Sequence, residues 1–359
     1  MAENVFILGA GASAESGAPL MNDFLDVSED LLFTGQLKDC DDLKSVFTLL
    51  ADLQNVYAKS YLDLNNIESL FGTIEMARII NKLGDYNAQE IINLKNSLIK
   101  LIVKTLEKTI KYEIKDNTIC ASDSYNKFVD LLLKVSKNKP NISSIITFNY
   151  DIAVDTALYR NGFNIDYCLD EPVTGNINLL KLHGSLNWCK CKTCNKIIPY
   201  HIKDHFKHST YNFSRYRTMH NSTNFSLSDK FNDLVKLKLH EHDNFEEVPV
   251  IVPPTWNKTE YQGTLTNVWH VAAAELSNAK NIYVIGYSLP ESDLFFRYLF
   301  SLGTIGKERI RRFWVYNPDD SGKTKARYEG ILGRGIINRF TYNTLKFSEA
   351  IQHIEKNIQ

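Results

Sequence analysis

Two textures of apolar and polar residues divide this chain. Short, predominantly apolar runs occur at 4–8, 142–148, 177–182, 282–285 and 313–316, and each ends at a polar or glycine-bearing turn. Runs of this length without alternation are the pattern of strands covered on both faces. Between them, apolar residues recur every three or four positions, the spacing of a helix with one buried face. Ile67, Leu70, Phe71, Ile74, Ala77 and Ile80 form one stripe, with Asn65 and Glu68 placed to start the helix. Leu94, Leu98, Ile102 or Leu101, and Leu106 form a second, and Phe128, Leu132 and Val135 a third. Residues 152–159 and about 347–358 read as two further helices.

Strands alternating with helices predict an α/β fold, a Rossmann-like doubly wound parallel sheet. The stretch 25–136 reads as helical throughout and is a large insertion within a single domain spanning 1–359. Residues 185–250 fit neither texture. They are rich in Cys, His, Asn, Ser and aromatics, and read as a small irregular module or degenerate zinc ribbon.

Composition narrows the function classes. The 359 residues carry 41 basic and 42 acidic side chains, a net charge of −1. That balance gives no footprint for nucleic acid or an anionic membrane surface. No apolar run approaches the roughly 20 residues of a spanning helix. The chain enters its first strand almost at once, which leaves no signal peptide, and its six cysteines do not form a disulfide framework. A reduced, cytoplasmic setting is the expectation.

The chemistry-bearing residues sit where the strands end. The first strand breaks into Gly9-Ala10-Gly11-Ala12-Ser13-Ala14-Glu15-Ser16, followed by Gly17-Ala18-Pro19. A strand that turns through Gly-x-Gly into a helix brings backbone N–H groups to a phosphate. Later strands end at Asn149-x-Asp151, His183-Gly184, Gly286-Tyr287-Ser288-Leu289-Pro290 and Asn317-x-Asp319. Each alone also reads as a turn or a helix cap. Five in one sheet mark its carboxyl edge as a ligand site. A dehydrogenase would place an acidic residue at the end of a second strand about 20 residues after the glycines. Here Asp23, Asp26, Glu29 and Asp30 stand in a helical context instead.

The succession of these blocks resembles the sirtuin (silent information regulator two) family. Gly9-Ala10-Gly11-Ala12-Ser13 with Ser16-Gly17-Ala18-Pro19, then Thr147-Phe148-Asn149-Tyr150-Asp151, then His183-Gly184, Gly286-Tyr287-Ser288-Leu289 and Asn317 follow the family's order from position 5 to about 319. The departures are as informative. No arginine follows Pro19, Phe148 stands where the family carries glutamine, and one cysteine cluster replaces two Cys-x-x-Cys pairs. Together with Leu182-His183-Gly184-Ser185-Leu186-Asn187-Trp188 and Pro253-Pro254-Thr255-Trp256-Asn257-Lys258, they resemble a prokaryotic sirtuin-like branch with helical insertions. Many of its members consume NAD in antiphage defence.

That resemblance implies NAD as substrate and an NAD+ hydrolase releasing nicotinamide and ADP-ribose. Asn149 would hold the ribose and the attacking water, His183 would act as general base, and Asp151 would orient the ring or the nicotinamide amide. Gly9, Ala10, Gly11, Ala12, Ser13 and Ser16 would bind pyrophosphate, Gly286 and Ser288 phosphate or ribose, and Asn317 and Asp319 the adenosine end. Free NAD hydrolysis is toxic, which implies a homo-oligomeric switch, a regulatory partner protein or an activating ligand. The alternatives are an NAD-dependent protein deacylase and a non-catalytic subunit that senses NAD or ADP-ribose. Cys189, Cys191 and Cys194 have three readings: a zinc site completed by His201, His205 or His208, a metal-free remnant, or a redox pair. Trp256 and Lys258 line the site or anchor a stiff Pro-Pro loop.

Overall fold

The computed structural model describes residues 2–37, 41–55, 61–115, 118–136, 142–199, 240–242, 244–252, 259–291, 293–306 and 308–358. Seven parallel strands form its central sheet: β1 (Asn4–Leu8), β4 (Ser143–Thr147), β5 (Ile165–Asp166), β6 (Ile177–Lys181), β9 (Asn281–Ile285), β10 (Arg312–Tyr316) and β11 (Phe340–Asn343). Their order across the sheet is β11-β10-β9-β1-β4-β6-β5. Without the two-residue edge strand β5, this is the 3-2-1-4-5-6 order of a doubly wound dinucleotide-binding sheet. The chain builds outward from β1 to one side and then returns to build the other, so the direction reverses between β1 and β9. Every residue of β1 and β4 is buried, as helices on both faces require.

Eleven helices accompany the sheet among the described residues. α1 (Ala10–Ala14), α2 (Phe24–Phe33), α3 (Asp41–Asn55), α4 (Ile67–Ile80), α5 (Ala88–Thr109) and α6 (Asp123–Val135) lie between β1 and β4. They are followed by α7 (Ala153–Arg160), α8 (Thr259–Asn278), α9 (Leu294–Gly303), α10 (Lys323–Glu329) and α11 (Phe347–Asn357). α3 and α4 pack on α5, while α6 packs on α7 and α11. A short antiparallel hairpin, β2 (Glu113–Lys115) with β3 (Thr118–Cys120), separates α5 from α6. A second hairpin, β7 (Trp188–Lys190) with β8 (Ile197–Pro199), opens the Cys/His-bearing module.

The expected sheet and its five apolar strands are present, with bounds that differ by a residue or two. Two local expectations change. The stretch 25–136 is not helical throughout, because β2 and β3 interrupt it. The cap of α4 is Asn66, not Asn65: its side chain accepts from Glu68 N at 2.9 Å and Ser69 N at 3.3 Å. Ile80 also leaves its stripe. It is 59% exposed in the last turn, just before Asn81 closes the helix in a left-handed conformation.

The helical excursion is seamed to the glycine loop at its roots. Ser16 O accepts from Lys111 N at 2.8 Å, and Ser16 Oγ lies 2.7 Å from Ser122 Oγ. Gly17 has φ +100°, and a Cβ there would come within 2.3 Å of Thr109 O. Only glycine fits that approach.

Candidate functional site

The carboxyl ends of β1, β4 and β6 carry a connected set of buried polar side chains. Ser13, in the short helix α1 after β1, donates its proton to Asp151 Oδ2 at 2.7 Å. Its oxygen then accepts from Asn149 Nδ2 at 3.0 Å and from the Tyr125 hydroxyl at 2.8 Å. Asn149 Nδ2 also donates to Gly9 O at 3.0 Å. Both amide hydrogens of Asn149 are thereby committed, and what it presents to a ligand is the acceptor Oδ1. The turn that aims it is built locally: Thr147 Oγ1 donates to Leu8 O and accepts from Asn149 N.

Asp151 is fixed on both oxygens, since Oδ1 accepts from Ala153 N at 2.9 Å where α7 begins. It thus closes an Asx-type turn into α7 and bonds Ser13 at the same time. Burial raises its pKa above the ordinary carboxylate value, against the opposing pull of the Lys181 charge, the Ala153 N–H and the Ser13 hydroxyl. Burial, reinforced by the Asp151 charge, holds the Tyr125 phenol protonated well above its usual range.

Lys181 closes the floor. It ends β6 fully buried, donating to Asp151 O at 2.6 Å and to Asp155 Oδ2 at 3.0 Å. Asp155 Oδ1 accepts from Tyr167 Oη at 2.6 Å, Tyr167 Oη accepts from Asn187 Nδ2 at 3.1 Å, and Asn187 Oδ1 accepts from Ser185 Oγ at 2.6 Å. One network thus ties β6, α7 and the loop that follows His183. Tyr125, Asp155, Lys181 and Asp293 are absent from the motif reading. A lysine inside an otherwise apolar strand was the signal for Lys181. Asp293, four residues after Leu289 and just ahead of an apolar helical stripe, was the signal for the start of α9.

His183 follows β6 and is buried. Phe148 meets its ring edge-on at 5.1 Å, and Phe148 in turn stacks on Tyr287 at 4.1 Å and 11°. Asp293 Oδ2 lies 3.6 Å from His183 Nε2. The backbone beyond His183 is set by Gly184 at φ +85°, where a Cβ would fall 2.0 Å from Val250 O.

The remaining expected ligands of the nucleotide are placed differently. Gly9, Gly11 and Gly286 pack backbone to backbone. Gly9 N donates to Ile285 O, Gly11 N to Gly286 O, and Ala12 N to Gly9 O. The N–H groups of Gly11 and Ala12 are thus turned into the protein's own seam. Ala10 opens the five-residue α1. Ser16 bonds Ser122, the N-cap residue of α6, and not the Ser13 cluster itself. Ser288 O accepts from Arg327. Asn317 Oδ1 accepts from Asp319 N, and Asp319 accepts from Ser321 N, Ser321 Oγ and Thr324 N at the start of α10. Those bonds, first the Ser321 hydroxyl and then Thr324, hold the Asp319 carboxyl far below its ordinary value. The structure therefore brings Ser13, Asn149 and Asp151 into one bonded cluster, while Asn317 Oδ1 and the Asp319 carboxylate bond within their own turn and the start of α10.

A second cluster lies in the small module. Donor atoms of Cys191, Cys194, His240 and His242 all fall within 4.8 Å of one another. Cys194 Sγ is 3.0 Å from His240 Nε2, which is 3.4 Å from His242 Nδ1. Although burial opposes it, the Cys191 thiol lies below its ordinary pKa because the N–H groups of Cys194 and Thr193 turn toward the sulfur. Asn195 completes the turn at φ +61°. Two sulfurs and two imidazoles are a donor set that suits tetrahedral zinc. Cys189 is corrected out of this set: its sulfur faces Ile198 O at 3.3 Å, and burial pushes its thiol up to about 12. His201, His205, His208, Trp256 and Lys258 lie outside the described residues.

The Cys/His cluster and His183 share one ribbon. Residues 244–252 run antiparallel to 183–192: Lys192 N donates to Asn244 O, Glu246 N to Lys190 O, Val250 N to Trp188 O, Ser185 N to Val250 O, and Val252 N to His183 O. The cysteines and histidines grip one end of that ribbon, and His183 begins the other.

No protein-family model matches the chain, and no curated protein matches it. Solved structures do align with it. A Sir2 complex with p53 peptide and NAD+ is 14% identical, covers 98% of this chain and 92% of its own, and has a TM-score of 0.40. A structure described as the structural basis for the mechanism and regulation of Sir2 enzymes is 13% identical, with 99% and 92% covered and a TM-score of 0.42. An ADP-ribose complex of a Sir2 homologue mutant is 14% identical, with 98% and 92% covered and a TM-score of 0.42.

Proposed function

We propose that this protein hydrolyses NAD+ at the nicotinamide–ribose bond, releasing nicotinamide and ADP-ribose. The observation that carries this reading is the buried Ser13–Asn149–Asp151 cluster at the carboxyl ends of β1 and β4, with His183 at the end of β6 next to it in the sheet. In a sheet of this strand order, ligands lie outside that edge, where the order reverses.

Nicotinamide in NAD+ is a cationic leaving group, and loss of it leaves an oxocarbenium-like ribose carbon. The bond from that carbon to the nicotinamide nitrogen breaks, nicotinamide departs neutral, and water oxygen bonds to the carbon. Asn149 Oδ1 orients the attacking water or a ribose hydroxyl as acceptor. His183 takes the water proton, a task suited to imidazole near neutrality. Ser13, Asp151 and Tyr125 hold the Asn149 amide in place, and Lys181 holds Asp151 through its carbonyl. Phe148, stacked on Tyr287, gives the His183 ring an apolar neighbour. A zinc ion held by Cys191, Cys194, His240 and His242 would have a structural role, clamping the far end of the His183 ribbon.

Incubation with NAD+ and chromatography of the products tests the reading, with His183→Ala and Asn149→Ala beside the wild type. Nicotinamide and ADP-ribose from the wild type alone support it. Hydride transfer, acyl transfer from an acetyl-peptide to ADP-ribose, or tight binding without turnover would each replace it. The activity is held off in the cell by an oligomeric switch or a regulatory partner in this reading, and the biological setting is defence by NAD depletion. Reconstitution with the products of neighbouring genes checks both.

A further inference from the structure

Asp293 has no part in the reaction as described so far, yet it is built toward His183. It precedes α9, is buried, and each of its oxygens has a fixed donor. Phe296 N donates to Oδ1 at 3.3 Å, and Tyr287 Oη donates to Oδ2 at 2.7 Å. Oδ2 is also the atom that faces His183 Nε2 at 3.6 Å. The carboxylate is thus aimed by two elements independent of β6, the helix start and the segment after β9. Near the ring are Asp293 and, through it, Tyr287, with Tyr150 from the segment after β4 at 6.3 Å between ring centres.

We propose that Asp293 is the positioning residue for His183, and that Tyr287 sets how strongly it acts. This inference rests on the reading of His183 as general base. A buried imidazole that takes a proton becomes a buried cation, which is costly without a counter-charge. Asp293 supplies that charge, fixes which ring nitrogen faces away from the substrate, and closes from 3.6 Å to hydrogen-bond distance when the imidazolium forms. Apo-state catalytic contacts are commonly longer than those made with substrate bound. Tyr287 stays protonated, because burial and then the Asp293 charge push its phenol well above its usual range. Its donated hydrogen bond withdraws part of the carboxylate charge that His183 would otherwise receive.

The test reads His183 directly by nuclear magnetic resonance titration of its ring, assigned from the signal lost in His183→Gln. In Asp293→Asn, His183 titrates at lower pH than in the wild type. In Tyr287→Phe, which keeps the ring that stacks on Phe148, it titrates at higher pH. NAD+ cleavage by Asp293→Asn falls about tenfold to a hundredfold in kcat with KM little changed. The acid limb of its pH profile moves in the same direction as the titration, and Asp293→Glu restores part of the rate. Equal His183 titrations in the wild type and both variants overturn the proposal. Should Asp293→Asn fail to fold, the upward shift in Tyr287→Phe decides alone. A wild type that leaves NAD+ intact while the titrations move as stated refutes the hydrolase reading and keeps the pair.

Discussion

The two halves of the sheet's carboxyl edge use the same residue types in opposite ways. On the β1–β4–β6 side, Ser13 bonds Asp151 across 138 residues of chain and Asn149 bonds Gly9 across 140. On the β10 side, Asn317 bonds Asp319 two residues on, and Asp319 bonds Thr324 five residues on. Asx-type side chains at strand ends commonly bond their own turn or the start of the next helix, and the second half does only that. In the first half, Asp151 bonds the first N–H of α7 and still reaches Ser13 in α1. The two carboxylates differ accordingly: burial raises Asp151, whereas local donors depress Asp319. A polar residue spent on distant partners at the cost of burial is the better mark of a site than the motif it sits in.

Variants of each half should separate along that line. The largest expected effect is on chemistry in the first half: His183→Ala or Asn149→Ala lowers NAD+ cleavage by about 10²–10⁴ without unfolding the chain. Product chromatography checks it, and an unchanged rate would dissolve the distinction between the halves. Next is stability. Lys181→Met leaves Asp155 buried without its cation, which costs about 3–5 kcal/mol in denaturant unfolding. The small module follows. Purified protein should carry zinc, and Cys194→Ser should lose it and melt lower, while Cys189→Ser keeps its metal content. Elemental analysis beside thermal melts reads both.

The smallest effect belongs to the second half. Asp319→Asn should cost about 1 kcal/mol at neutral pH, as loss of one hydrogen-bond acceptor does, and leave the cleavage rate unchanged. Its dependence on pH has a sign. The folded carboxyl is depressed, so its contribution is complete above the unfolded value of about 3.9 and fades as pH falls toward the folded one. Melts of wild type and variant should therefore converge on acidification. Divergence at low pH would contradict the acceptor role.

Much of this architecture was visible in the residues. β1, β4, β6, β9 and β10 are apolar runs because parallel strands lie between helix layers. β11 was not visible, because Phe340–Asn343 sits at the sheet edge with every side chain at least partly exposed. β5 has two residues and no pattern to show. Ser13, Asn149, Asp151 and His183 stood out by falling where strands stop. Their supports did not, since Tyr125 and Asp155 sit inside helices whose periodicity speaks only of packing. Cys191 and Cys194 announced themselves by spacing, whereas His240 joins Cys194 from 46 residues away. Such a partner is fixed by the ribbon that returns along β7, and no short-range pattern carries that information.

The seam at Ser16 and Gly17 bears on how this chain can change. The excursion through α2–α5 leaves the glycine loop and its last helix comes back beside it, with Ser16 O on Lys111 N and Thr109 O against Gly17. Length added or removed far from that junction need not move the loop, because both feet stand on the same stone. Helices between those feet are therefore free to diverge in size and surface, as a handle can be reshaped while the blade it joins keeps its edge.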